Sequence, residues 1–515
     1  MLLNILFRNT KLFLDEKTVF GDTSMRSHGG PGGGRSSELR KAGIIDWAPK
    51  GEWDEGEETR DTVTGDYFVA TQDFNGLDTF ALEFAAGFWL QIAGPSAVAV
   101  EVNDTVFVDA AYGNDGLGAR EDMSKAFATI EAAVAAAVAG DTIHVWPGTY
   151  APVSNLATKQ LDFHFATGAV VNATIIIFDI STDIPITVTG HGVFTSSLQV
   201  VRLAALTGSI VFEGDRITST GNSTLEFTQG AFRVEIPNIL NSDPSTGNAL
   251  LCNGGAQGEV IADNISKSTD GGHTIQFIGW TAGLVQLFIN NIYSPTGALN
   301  FAAIKTDSTN GAATSLEVYG KIRDTRTAMT AAATDANAVV WHEAGDLEIV
   351  GDITTALYRG IVTATVTGGS LLHRGHITSN HIDESVYVGS GTKEVRIYGD
   401  VINTNASGSG TGYVISIGRT TVTATVKLGN KLFHKGVCHH QGVGTEDGYF
   451  KGGVAPSDTI LVLDGGKIIA PSESVVPEPA TTQDVKITGF VTSNVPNNAS
   501  INPQISSILV DALVE

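Results

Sequence analysis

The side chains best suited to chemistry fall in the second half of the chain, at repeating offsets from glycine. Glu317, Glu348 and Arg396 each stand three residues before a glycine; Lys321, Asp352, His376 and Asp400 each stand one after it. Two carboxyl groups ~5–9.5 Å apart can hydrolyse a glycosidic bond as acid and base or as acid and nucleophile. Imidazole exchanges protons near neutral pH. Glu317, Glu348, Asp352, His376 and Asp400 are therefore the candidate catalytic residues. The competing explanation is plain: these are positions where a repetitive β-structure faces solvent, and charge is expected there. Trp341, Glu343 and Tyr398 pair aromatic surface with a carboxylate and are candidate glycan contacts, although Trp341 would serve equally well as a corner plug.

Two other groups of residues invite a chemical explanation. His373, His376, His381, Asp383 and Glu384 form the densest titratable cluster, but His373 stands two before Gly375, at an inward position. A buried, hydrogen-bonded histidine is expected there. Cys438-His439-His440, with His434, suggests a metal. Adjacent histidines on a strand point to opposite sides, and zinc sites use four ligands in separated pairs, so neither metal nor cofactor is expected. The Gly-rich run Ser27–Ser37 lacks the Gly-Lys-Ser/Thr ending of a phosphate loop and is a linker.

The offsets come from a repeat. Alternating apolar residues, then Gly or Asn, a polar residue and Ile or Val recur in Leu316–Ile322, Leu347–Ile353, Leu371–Ile377 and Val395–Val401. Looser copies extend both ways, placing thirteen closing apolar positions at Val170, Val193, nine sites from Ile217 to Leu432, then Ile468 and Val491. Alternation buries one row and exposes the next. Glycine permits a positive φ at a corner. Coils of this kind stack into a solenoid with inward ladders of Ile and Val, and about thirteen rungs at ~4.8 Å give a rod of roughly 60 Å. The uneven repeat length argues against leucine-rich repeats and propellers; a string of β-sandwiches is the alternative fold.

Upstream of the repeat, Thr105–Asp109 is a β-prone run and Gly113–Gly118 is rich in turn residues. A helix is expected next, with Thr129 as N-cap, Ile130, Val134 and Val138 on one face and Gly140 as its stop; Ile143–Trp146 is the following strand. The motifs Phe127-Ala128-Thr129-Ile130, Gly140-Asp141-Thr142-Ile143 and Pro147-Gly148-Thr149-Tyr150 resemble the entry segment of right-handed parallel β-helix proteins, both pectate-lyase-like enzymes and phage tail fibres and tailspikes. The resemblance covers about 45 residues and implies the fold; the activity varies among its bearers. Lys50–Asp54, Gly65–Val69 and Phe84–Trp89 resemble a small β module found near the N-termini of tail-fibre proteins, with Phe88 where that family usually has Asp.

Composition narrows the choices. Of 515 residues only 17% are charged and 59 are glycine, which suits a turn-rich all-β rod. A net charge of −24 argues against nucleic acid. Two distant cysteines, Cys252 and Cys438, make no disulfide framework. No apolar run approaches ~18 residues, so no membrane span is expected. Arg8 and Lys11 follow the apolar Met1–Phe7 without a small-residue cleavage site, so no secretory signal is expected either.

The expected architecture is all-β: a docking arm (1–46), a small β module (47–95), a right-handed single-stranded parallel β-helix (96–495, with its capping segment at 105–150) and a C-terminal cap or trimerisation tail (496–515). The resemblance implies a virion fibre or spike of a tailed phage, made in the host cytoplasm and carried on the tail or head surface. It implies a homotrimer that contacts other virion proteins through 1–95 and reaches a host-surface polysaccharide or receptor. The alternatives are a polysaccharide hydrolase or lyase on the same scaffold and a bacterial surface β-helix protein.

Overall fold

The computed structural model describes residues 104–441, with interruptions at 270, 296–300, 325, 327–337, 364–365, 382–383, 389–390, 406–412 and 418–430, and outside that span the backbone of certain strands. The chain forms a parallel β-helix. Each coil gives two strands to one long sheet and one to a second sheet: Ser209–Glu213 and Arg216–Ser219 join the first, and Leu225–Phe227 the second. Every pairing between coils is parallel and one coil apart, so corresponding residues stack in files.

The inward files form one continuous core. Ile217, Ile239, Ile265 and Ile292 pair in succession, then Ile322, Ile353, Ile377 and Val401, and all are buried. Each fully buried aliphatic side chain contributes about 1.5–3 kcal/mol. At four expected positions the register differs. Val170 and Val193 are half-exposed, and their neighbours Val171 and Phe194 point inward, because alternation admits one of two adjacent apolar residues. Leu432 lies in the other inward file, opposite Val395, and Cys438 takes the place opposite Val401. The long strand Lys431–His440 serves both files. Val491 pairs with Gly466, so Ser493 is the partner of Ile468.

Glycines form the corner between the two strands of the long sheet. Gly320, Gly351, Gly375 and Gly399 have φ of 150°, 146°, 148° and 140°. A Cβ on Gly375 would lie 2.3 Å from the carbonyl oxygen of Gly351, and one on Gly399 would lie 2.0 Å from that of Gly375. Only glycine lets the coils approach this closely.

The helix at the start of the solenoid spans Ile130–Ala136, and Thr129 accepts a hydrogen bond from the Ala132 amide as its N-cap. Its buried face is Ile130, Ala133 and Val134. Val138 lies beyond the helix and is 52% exposed. The helix ends before Gly140 because Lys159 intervenes: its ammonium donates to the carbonyls of Val134, Ala135 and Ala137. Of the region before 104, the strands Ile45–Asp46, Glu58–Arg60, Tyr67–Ala70 and Trp89–Ala93 form one small sheet, and Glu52–Trp53 pairs with Phe74–Asn75. The rest of the expected arm lies outside the described residues. Near the other end, Ser507–Asp511 pairs in parallel with Asp484–Ser493, as one further strand of the long sheet.

Candidate functional site

The register brings the candidate catalytic residues into two outward files on the long sheet. In the first, Gln286, Glu317, Glu348, Leu372, Arg396 and Phe433 follow one another on successive coils. Glu317 and Glu348 are thus direct neighbours, at the ~4.8 Å rung spacing; Arg396 is separated from them by Leu372. Glu317 accepts hydrogen bonds from Gln286 Nε2 (2.8 Å) and the Tyr319 hydroxyl (3.2 Å), and Glu348 accepts one from Arg374 Nε (3.3 Å). Burial, reinforced by the charges of Glu317 and Glu348, raises the pKa of Tyr319.

The second file begins just past the corner glycines with Asn291, Lys321, Asp352, His376 and Asp400. The Asp352 carboxylate accepts from the His376 amide (3.0 Å), and His376 Nδ1 lies 3.3 Å from Asp400 Oδ2. His376 is 59% exposed. Asp400 Oδ1 also accepts from the Val437 amide (2.8 Å).

A third outward file explains why these side chains are so well occupied. There Phe288 stacks on Tyr319 (centroids 5.0 Å apart, planes 7° apart) and the Arg374 guanidinium lies 5.4 Å from the Tyr398 ring, while within the first file Arg396 lies 5.3 Å from Phe433. Arg396 also pairs with Glu394. Each group takes its partner from the coil above or below or from its own strand, so the surface is a set of ladders that stabilise one another.

The three candidate glycan contacts do not form one site. Tyr398 lies on the long sheet beneath Arg374. Trp341 lies on the second sheet, packed against Ala338, Val362 and Tyr387, with Lys305 Nζ 4.4 Å from its ring centre. Glu343, at the end of that strand, accepts from the Ser308 amide (2.9 Å).

Of the titratable cluster, Asp383 lies outside the described residues. His373 is fully buried, and its Nε2 donates to the Gly351 carbonyl (3.0 Å). Glu384 forms a buried ion pair with Arg359 (2.8 Å). Cys438 and Cys252 are both buried and neither is in a disulfide. His434 is buried and donates to the Gly399 carbonyl (3.0 Å). Among the described residues no three His, Cys, Asp or Glu side chains converge as a metal site requires.

One set of buried polar residues was not anticipated from the sequence. Two residues after the isoleucine file runs an inward polar file: Ser196, Ser219, Asn241 and Lys267 pair in succession, and farther along Ser379 pairs with Asn403. All six are fully buried. Lys267 Nζ donates to Asn241 Oδ1 (3.0 Å) and the Asp243 carbonyl (2.8 Å). The signal was legible as a small or polar residue recurring two after the ladder position, in Ile217-x-Ser219, Ile239-x-Asn241, Ile377-x-Ser379 and Val401-x-Asn403.

No protein-family model matches the chain, nor does any curated protein or solved structure. No helix among the described residues is long and apolar enough to cross a membrane.

Proposed function

We propose that this chain is a structural virion protein of a tailed bacteriophage, a fibre or spike that docks through its N-terminal region and meets the host-cell surface along its rod. The observation that carries the reading is the self-pairing of the outward files: Gln286 with Glu317, Phe288 with Tyr319, Glu348 with Arg374, His376 with Asp400. Such files stiffen a rod along its axis and leave a mixed surface of aromatic and charged edges suited to glycan hydroxyls. The entry segment at Thr105–Tyr150 agrees with this role. An antibody raised against the purified full-length chain should decorate phage particles released from cells carrying the gene. Label confined to the bacterial envelope would sink the proposal.

A second reading, polysaccharide hydrolysis, is favoured by one observation: Glu317 and Glu348 are adjacent carboxylates with different partners. The purified chain would then release reducing ends from host polysaccharide, and Glu348→Gln would lower the rate by at least about 100-fold. Polysaccharide that keeps its length after incubation would exclude this reading.

A further inference from the structure

We propose that the coils within Val366–His440 form an acid-releasable segment of the rod, held shut at neutral pH by imidazoles built into its interior. Half of the chain's twelve histidines lie between 373 and 440, and three of them, His373, His381 and His434, are buried within a few coils of one another.

The geometry gives two of these histidines the same task. Ile349, His373, Ile397 and His434 follow one another in a single inward file, so imidazole alternates with isoleucine. Each imidazole donates from Nε2 to the carbonyl of the corner glycine one coil earlier, His373 to Gly351 and His434 to Gly399, both at 3.0 Å. The neutral ring thus ties one coil to the next at the corner where glycine alone is tolerated. One proton suffices for that bond. His373 Nδ1 is buried and has no hydrogen-bond partner. A second proton would therefore place an N–H and a positive charge against aliphatic side chains with no acceptor to receive them.

The charged groups facing these rings do not reverse the balance. Asp352 and His376 face His373, Asp400 faces His434, and Arg359 and Glu384 face His381. Burial dominates in each case and lowers all three pKa values to about 4. The unfolded chain, with histidine near 6.5, therefore binds more protons than the closed segment at intermediate pH. The contribution to stability is complete above about pH 6.5 and is lost as pH falls toward 4. Coils of a solenoid touch mainly their neighbours, so the loss can stay local. His144 and His273 are also held neutral by burial, to about 3, and His144 lies 4.9 Å from His164 on the next coil, whose pKa burial lowers as well; none of these three belongs to the inward file in which imidazole alternates with isoleucine.

The test is hydrogen exchange on the full-length chain, incubated at stepped pH from 7.5 to 4 and pulse-labelled at one fixed pH. Protection should disappear first in peptides from 366–440 while peptides from 161–267 remain protected, and it should return on neutralisation. The double variant His373→Gln, His434→Gln keeps an N–H donor for each glycine carbonyl but cannot titrate. Its opening should move down by about one pH unit or more. Opening that is uniform along the rod, or that begins around 142–166, would overturn the proposal; so would a folded double variant that opens with the wild-type profile. If the double variant does not fold, the order of opening in the wild-type chain still decides.

Discussion

Lys267 shows how little a residue's type says about its role without its neighbours. A lysine is ordinarily read as surface, yet this one is fully buried and joins Asn241 to the Asp243 carbonyl across one coil. Replacing it with Met would strand those acceptors in the core and should destabilise the protein by about 1–3 kcal/mol, read as a lower urea midpoint. Cys252 shows the converse: a reactive group made inert. Burial raises its thiol pKa well above the ordinary value. Neither Cys252 nor Cys438 should react with an aromatic disulfide reagent in the native chain, and both should react once urea unfolds it. The aromatic and charged residues of the outer surface require the same caution, since Tyr319 and Glu348 each meet a partner along the rod.

At the scale of the element, the corner governs the coil. Gly375→Ala would force a Cβ to within 2.3 Å of the Gly351 carbonyl oxygen at a φ of 148°. The variant should lose about 3 kcal/mol or more, or fail to fold, as judged by chemical denaturation. Ile353→Ala, two positions past the neighbouring corner, removes a fully buried rung and should cost about 2–5 kcal/mol by the same measurement. These positions were legible because glycine and the alternating apolar residues repeat together. The end of the helix was less so: Lys159, more than twenty residues away in sequence, supplies the cap that local pattern had assigned to Gly140.

For the whole molecule, the solenoid turns a one-dimensional pattern into a surface on which every feature is repeated and almost every feature is paired. In the proposed fibre this is the useful property, because stiffness comes from files running the length of the rod. If the fibre is threefold, light scattering on the purified full-length chain will give three times the chain mass at micromolar concentration, and a single chain mass would remove the trimer from the proposal. Among the described residues six histidines have their pKa lowered chiefly by burial, which also predicts that the rod as a whole loses stability below about pH 6, with the Val366–His440 segment first.

The sequence by itself determined the parallel β-helix, the corner glycines and most of the isoleucine file, because each depends on short-range rules: alternation, positive φ, and repetition at a regular offset. It also determined which charged residues share a file, since a constant offset from the corner gives a constant place on the coil. Tertiary structure alone decided what those residues meet. Whether Arg374 faces solvent or Tyr398, whether Trp341 and Tyr398 share a sheet, and whether His373 finds a carbonyl depend on contacts between residues one coil or more apart. Those contacts are set by the stacking of whole coils, whose lengths vary, so no local window contains them.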